Sequence, residues 1–411
     1  MNPLAKRLGI TLLLVVLLFG WSRTCSTPSV PVATDEEPAP LLDPIIQVRL
    51  MSLSGRDSLP VEILGRYRLL DGDDPDRILL PERSGFRGSL IAHETGPQLG
   101  AYQTLREHVV IETEGDGALR IDTLSYPGRL HIRSRRDDRG LITGLDLSLE
   151  LSLEDYVLGV ICGEMPSQRE GAQEALRAQA VAARTYALQK RGRKRLLRDD
   201  TSDQVFRGLD FHTWQAREAV AATRGLVLRH EEGLVPAYFH RNCGGGTANA
   251  FEAGFHREDI GPLAGTLEPA CRTPRGMWER RIEAHALDAL AKRHGLGTWL
   301  REIHTVQRDR SGRMISVRIV GEDDHKDLYG ERLRSSLSLP SSQLVDARLQ
   351  EDGSVVFRGH GYGHGVGLCQ EGTLRSAKSG NSFREILEHY YPGAEVVALT
   401  SDLEFLLPPK P

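Results

Sequence analysis

Glu164 is the residue whose setting points most directly to chemistry. It lies in the run from Leu153 to Pro166, LEDYVLGVICGEMP, with Val160, Ile161, Met165 and Pro166 around it. Such a surround removes water that stabilises a carboxylate, so the pKa should rise toward the range where the group can donate a proton. By residue chemistry alone, Glu164 is either a general acid or a structural carboxylate, the latter at a helix terminus or ion-paired with a residue such as Arg184.

Two glycine-dense segments hold the other reactive side chains. Ala237 to Thr247, AYFHRNCGGGT, reads as a strand ending in a turn where backbone amides can approach a ligand or one another. Its spacing fits neither a Walker phosphate loop nor a dinucleotide fingerprint. A disulfide between Cys243 and Cys271 is the simplest account of these cysteines in an exported protein. The alternative is a metal site of His240, Cys243 and Cys271, with His256 as fourth ligand. Arg358 to Gln370, RGHGYGHGVGLCQ, alternates glycine with ring side chains and cannot be a regular helix. Either His360, His364 and Cys369 form a chelate, or the glycines permit close chain packing while His364 hydrogen-bonds in the core. Gln168, Tyr362 and Gln370 are polar groups suited to a sugar.

These residues need elements to hold them. Ser152 with Asp155, and Ser167 with Glu170, have the spacing of helix starts. They predict one helix from Leu153 to Ile161 and a second from Gln168 to about Lys190, meeting at Gly163-Glu164-Met165-Pro166. The second is rich in alanine, which suits a buried central helix. Ile45 to about Ile142 is a series of short alternating segments broken by turns such as Asp71-Gly72, Asp116-Gly117 and Pro127-Gly128, and predicts a β-rich region. From Gly144 onward, helical patterns at Ala216–Thr223, His285–His294 and Phe383–Tyr391 alternate with strand patterns at Leu226–Leu228, Pro236–His240, Ile315–Val320 and Ser354–Phe357. The fold class is α+β.

The 411 residues carry a net charge of -4, which gives no electrostatic case for nucleic acid. The dense basic run Arg191, Arg193, Lys194, Arg195 and Arg198 reads as a solvated helix end. Lys6 and Arg7 precede an apolar stretch, Leu8 to Trp21, of signal-peptide length. Export follows as an expectation, with the protein secreted or held at the membrane by this segment. Cys25 raises lipidation, although Ser22, Arg23 and Thr24 before it are a poor lipoprotein context.

Five segments, LEDYVLGVICGEMP, EALRAQAVAARTYAL, YFHRNCGGGT, GHGYGHGVGLCQEG and ILEHYYPG, resemble in order and spacing the SpoIID/LytB domain of the stage II sporulation protein D family. The resemblance implies lytic transglycosylation of peptidoglycan, on glycan strands stripped of stem peptides, with Glu164 catalytic. It implies substrate contacts at Gln168, Arg184, Tyr186, His240, Tyr362, His364 and Gln370. Other members of the family enhance an N-acetylmuramoyl-L-alanine amidase, so a non-catalytic wall-binding role with an amidase partner is the alternative. Some members carry a zinc site just after the long helix. Here Ser202 and Asp203 stand where its last two ligands would be, so that site is expected to be absent and no metal or other cofactor is expected. Asp199, Asp200 or Asp203, paired with nearby arginines, would do its structural work. The expected organisation is a signal peptide or anchor at 1–25, a disordered proline-rich tether at 26–43, a β-rich accessory region at 44–143, a catalytic region at 144–400 and a tail at 401–411.

Overall fold

The computed structural model describes residues 41–401, apart from 116, 192–195 and 232. The expected leader or anchor with Cys25, most of the tether, Asp116, Arg193, Lys194 and Arg195 of the basic run, and the tail beyond 401 lie outside the described residues.

The protein is α+β. Alternation builds its first half: Leu145, Leu147, Leu149 and Leu151 of the strand Ile142–Ser152 all point inward and are buried, as period-2 patterning requires. That strand pairs antiparallel with Ile45–Arg49 on one side and Arg129–Arg136 on the other. The sheet continues through His108–Thr113 and Ser58–Asp71 to the long strand Asp74–Ile91. At the opposite edge Leu197–Arg198 adds in parallel to Ile45–Arg49.

The chain passes from Ile142–Ser152 straight into α1, Leu153–Glu164, where the Ser152 hydroxyl accepts the Asp155 amide at 3.1 Å. This is the predicted cap. The second predicted start does not form. Helix α2 is Gln173–Lys190 and begins at Ala172 with no side-chain cap. Gly171 adopts φ 71°, a left-handed conformation that no helix passes through, so residues 166–172 turn instead. Almost all of α2 from Ala175 to Leu188 is buried, because its alanines let neighbours approach on every side. Those neighbours are α1, α3 (Trp214–Ala222), the strand Leu226–His230, and two later helices near the C-terminus.

A lobe with its own core interrupts this arrangement. It holds Met277–Ile282, α4 (Ala284–Arg293), the meander Leu300–Arg308, Met314–Gly321 and His325–Tyr329, α5 (Gly330–Ser336), Leu344–Leu349 and Val355–His360. Trp278, Leu290, Val317, Ile319, Leu333 and Phe357 cluster at its centre. The chain returns through Leu368–Cys369, α6 (Gln370–Lys378) and α7 (Phe383–Tyr390). The parallel pair Phe239–His240 with Leu368–Cys369 sets His240 opposite Cys369.

Candidate active site

Glu164 is the last residue of α1 and half-buried. Two glycines one turn apart explain its setting. A Cβ on Gly159 would lie 2.4 Å from the Phe206 ring, and one on Gly163 would lie 2.4 Å from the Val205 carbonyl oxygen. Their absence lets residues 205–208 lie directly on the helix. The Val205 amide then donates to Glu164 Oε1 at 2.8 Å, and Gln370 Nε2, at the start of α6, donates to Oε2 at 3.2 Å. Burial raises the Glu164 pKa above the ordinary carboxylate value, against the lowering effect of those two donors and of Arg207. A carboxylate at a helix C-terminus also faces the negative pole of the helix dipole, which acts in the same direction. The charged side chain bearing on Glu164 is Arg207, not a second carboxylate.

Of the other residues singled out by sequence, only Gln370 meets Glu164. Gln168 is exposed in the turn after α1. Arg184 is neither a ligand contact nor the partner of Glu164. It is fully buried and grips Glu154 through Nε at 2.8 Å and Nη2 at 2.6 Å, with Nη1 on the Leu226 carbonyl at 3.1 Å. Tyr186 donates to Asp203 Oδ1 at 3.0 Å and, with His364, lines a cavity of about 260 Å³ separate from Glu164. His364 forms no chelate with His360 and Cys369, because both its nitrogens serve the backbone: Nε2 lies 2.9 Å from the Phe239 carbonyl, and Nδ1 accepts the Val366 amide at 3.1 Å. Tyr362 is half-buried, with the Arg241 guanidinium 5.4 Å from its ring centre. His240 is buried, with Nδ1 3.1 Å from the Val366 carbonyl, so it is out of reach of a polymer.

The cysteine pairing also needs correction. Cys243 and Cys271 are not bridged. The parallel pairing at His240 and Cys369 brings in a third sulfur, and the three converge. His256 instead meets the Tyr238 hydroxyl at 3.2 Å.

The loop after α2, where the family resemblance would place a zinc site, is held by hydrogen bonds. Asp199 accepts from the Met51 amide and the Ser52 hydroxyl, both at 2.8 Å, while Asp203 accepts from Tyr186 and from the Arg198 amide at 3.0 Å. Asp200 pairs with an arginine, Arg198, at 2.8 Å. This donor set of carboxylates already engaged by protein groups does not fit a zinc site of cysteines and histidines.

Sequence reading missed Val205, Arg207 and Trp214. The signal for the first two was the Gly159 and Gly163 spacing. Trp214 is 71% exposed at the start of α3, next to Thr213, whose backbone lies against Cys162 of α1.

Residues 143–230 match the family described as stage II sporulation protein, SpoIID. Residues 277–367, which contain the inserted lobe, match a domain of unknown function, DUF8618. An uncharacterised protein of Brachyspira hyodysenteriae is 28% identical over 317 residues, 75% of this chain and 81% of the relative. Stage II sporulation protein D of Bacillus amyloliquefaciens is 29% identical over 272 residues, 60% of this chain and 74% of its own. The amidase enhancer of Bacillus subtilis is 26% identical over 294 residues, 58% of this chain and 40% of the relative. The domain at 143–230, which contains Glu164, thus matches the SpoIID family, and the chain is similar to stage II sporulation protein D and to the amidase enhancer, in keeping with the resemblance of the five segments.

Proposed function

We propose that this chain is an exported peptidoglycan lytic transglycosylase that cleaves the glycan backbone with Glu164 as its only acid and base. The observation that carries the reading is one half-buried carboxyl group, held by two donors, with a raised pKa and with no carboxylate acting on it among the described residues. Hydrolysis by the usual routes needs two carboxyl groups flanking the bond. One suffices for transglycosylation. Protonated Glu164 gives its proton to the glycosidic oxygen as the bond to muramic acid C1 breaks. The resulting carboxylate takes the proton from the C6 hydroxyl as O6 bonds to C1, which closes a 1,6-anhydro ring and restores the acid. The Val205 and Gln370 donors stabilise the carboxylate at the midpoint of this cycle and hold it in one orientation. Trp214 offers an exposed ring face for a sugar. Among the described residues no helix is long and apolar enough to cross a membrane.

A second reading is favoured by the relative named amidase enhancer: the chain binds the wall and stimulates an N-acetylmuramoyl-L-alanine amidase without cutting glycan. Incubation with amidase-stripped glycan strands, followed by mass analysis, separates the two. Transglycosylation yields 1,6-anhydro ends with wild type and a loss of at least about 100-fold with Glu164→Gln. Absence of such ends, with faster peptide release when an amidase is added, supports the second reading.

A further inference from the structure

Away from Glu164, the Sγ atoms of Cys243, Cys271 and Cys369 all lie within 4.8 Å of one another, and all three residues are buried. They come from the turn after Phe239–His240, the segment leading into the inserted lobe, and the strand that enters α6. Cys271 and Cys369 thus flank the whole lobe in sequence. Their sulfurs are 3.7 Å apart. Two sulfurs each about 2.3 Å from a tetrahedral zinc stand about 3.8 Å apart, whereas a disulfide brings them to about 2.05 Å.

The surroundings are built for negative charge. The Cys243 and Gly372 amides donate to Cys369 Sγ at 3.2 and 3.3 Å, and the Arg375 guanidinium contacts Cys271 Sγ. Arg313 is 2% exposed and donates from Nη2 to the Cys243 carbonyl at 2.7 Å, while its Nε and Nη1 have no hydrogen-bond partner among the described residues. A buried guanidinium left without an anion is strongly unfavourable. Three thiolates around one divalent zinc carry a net single negative charge, opposite in sign to these arginines.

His240 is a further donor beside Cys243, set back from the group of three sulfurs. Its Nδ1 faces the Val366 carbonyl, which can only accept, so Nδ1 carries the hydrogen and Nε2 the lone pair. Nε2 is buried and has no hydrogen-bond partner among the described residues, and the imidazole lies beside Cys243. We propose that Cys243, Cys271 and Cys369 bind a zinc ion, with His240 as the fourth ligand. Thiolate and imidazole in this ratio are a structural zinc donor set. The ion displaces the three thiol protons and staples both ends of the lobe to the turn after His240. By holding Cys369 it also holds the next residue, Gln370, against Glu164.

The test uses the full chain carrying Cys25→Ser and Cys162→Ser, so that only three thiols remain, purified with reductant and without chelator. Metal analysis should find about one zinc per chain. Cobalt exchange should give the thiolate-to-cobalt charge-transfer band and intense visible bands of a tetrahedral site. The three thiols should resist alkylation until the metal is removed. Cys369→Ser should abolish zinc retention, and His240→Ala should change the cobalt spectrum. No zinc, a different metal in its place, or a disulfide among the three in unreduced peptide maps overturns the site, and these readouts need no ligand-site variant to fold. An unchanged cobalt spectrum in His240→Ala overturns the fourth ligand. None of these readouts depends on glycan cleavage.

Discussion

Gly163→Ala tests whether the segment lying on α1 sets the active carboxylate. The added methyl would sit 2.4 Å from the Val205 carbonyl oxygen and 3.1 Å from Arg207 Cγ. Ordinary contact lies at about 3.5 Å, so residues 205–207 must retreat by roughly 1 Å. The Val205 amide, now 2.8 Å from Glu164 Oε1, would then leave hydrogen-bond range. Two effects oppose each other. Alanine is the better helix former by about 0.8–1.0 kcal/mol. Against it stand overpacking, at about 1–3 kcal/mol, and loss of a hydrogen bond to a charged acceptor, at about 1.5–3 kcal/mol. The losses win, with a net destabilisation of about 1.5–5 kcal/mol. At roughly 2–4 °C per kcal/mol for a large domain, Tm falls by roughly 3–20 °C. A displacement of about 1 Å at the acid should also slow formation of 1,6-anhydro ends on the order of 100-fold. Melting followed by circular dichroism and end analysis by mass measure both. Gly233→Ala, where the new methyl meets nothing within 4 Å, serves as the control. If Gly163→Ala melts and cuts like wild type, the segment does not position Glu164 and the argument fails.

The stability of Glu164→Gln separates a catalytic acid from a structural one. Because burial raises its folded-state pKa, Glu164 contributes stability that is fully present below the unfolded value and lost as pH rises through the folded value. The amide lacks that loss, so the Tm of Glu164→Gln relative to wild type should climb between acid and neutral pH, and a drop at neutral pH would mark a structural carboxylate. Gln370→Ala removes a donor that favours the charged form, so the alkaline limb of the pH–rate profile, where protonated Glu164 is used up, should move to higher pH; a shift downward contradicts the assignment. Arg184→Met leaves the Glu154 carboxylate buried without its cation, at a cost of about 3–5 kcal/mol. Chemical denaturation should register that loss while the KM of the remaining folded protein stays unchanged, and the reverse pattern would restore Arg184 as a substrate contact.

The features legible in the sequence were those set by near neighbours along the chain. Ser152 capped α1 as its spacing to Asp155 predicts. Burial raises the Glu164 pKa, in the direction that its apolar flanks predict. Even local rules failed where one residue overrode them, as Gly171 did to the capping pattern at Ser167. Tertiary structure alone decided the partners. Val205 and Gln370 reach Glu164 across 41 and 206 residues, Glu154 and not Glu164 takes Arg184, and Cys369 joins Cys243 and Cys271 across 126 and 98 residues. Such meetings are fixed by sheet register, by where helices can approach at glycine and alanine, and by the lobe that folds on its own core between Cys271 and Cys369. None of these is a property of a short stretch of chain. A sequence can therefore mark Glu164 as a buried acid, but only the packed fold determines which groups share its proton.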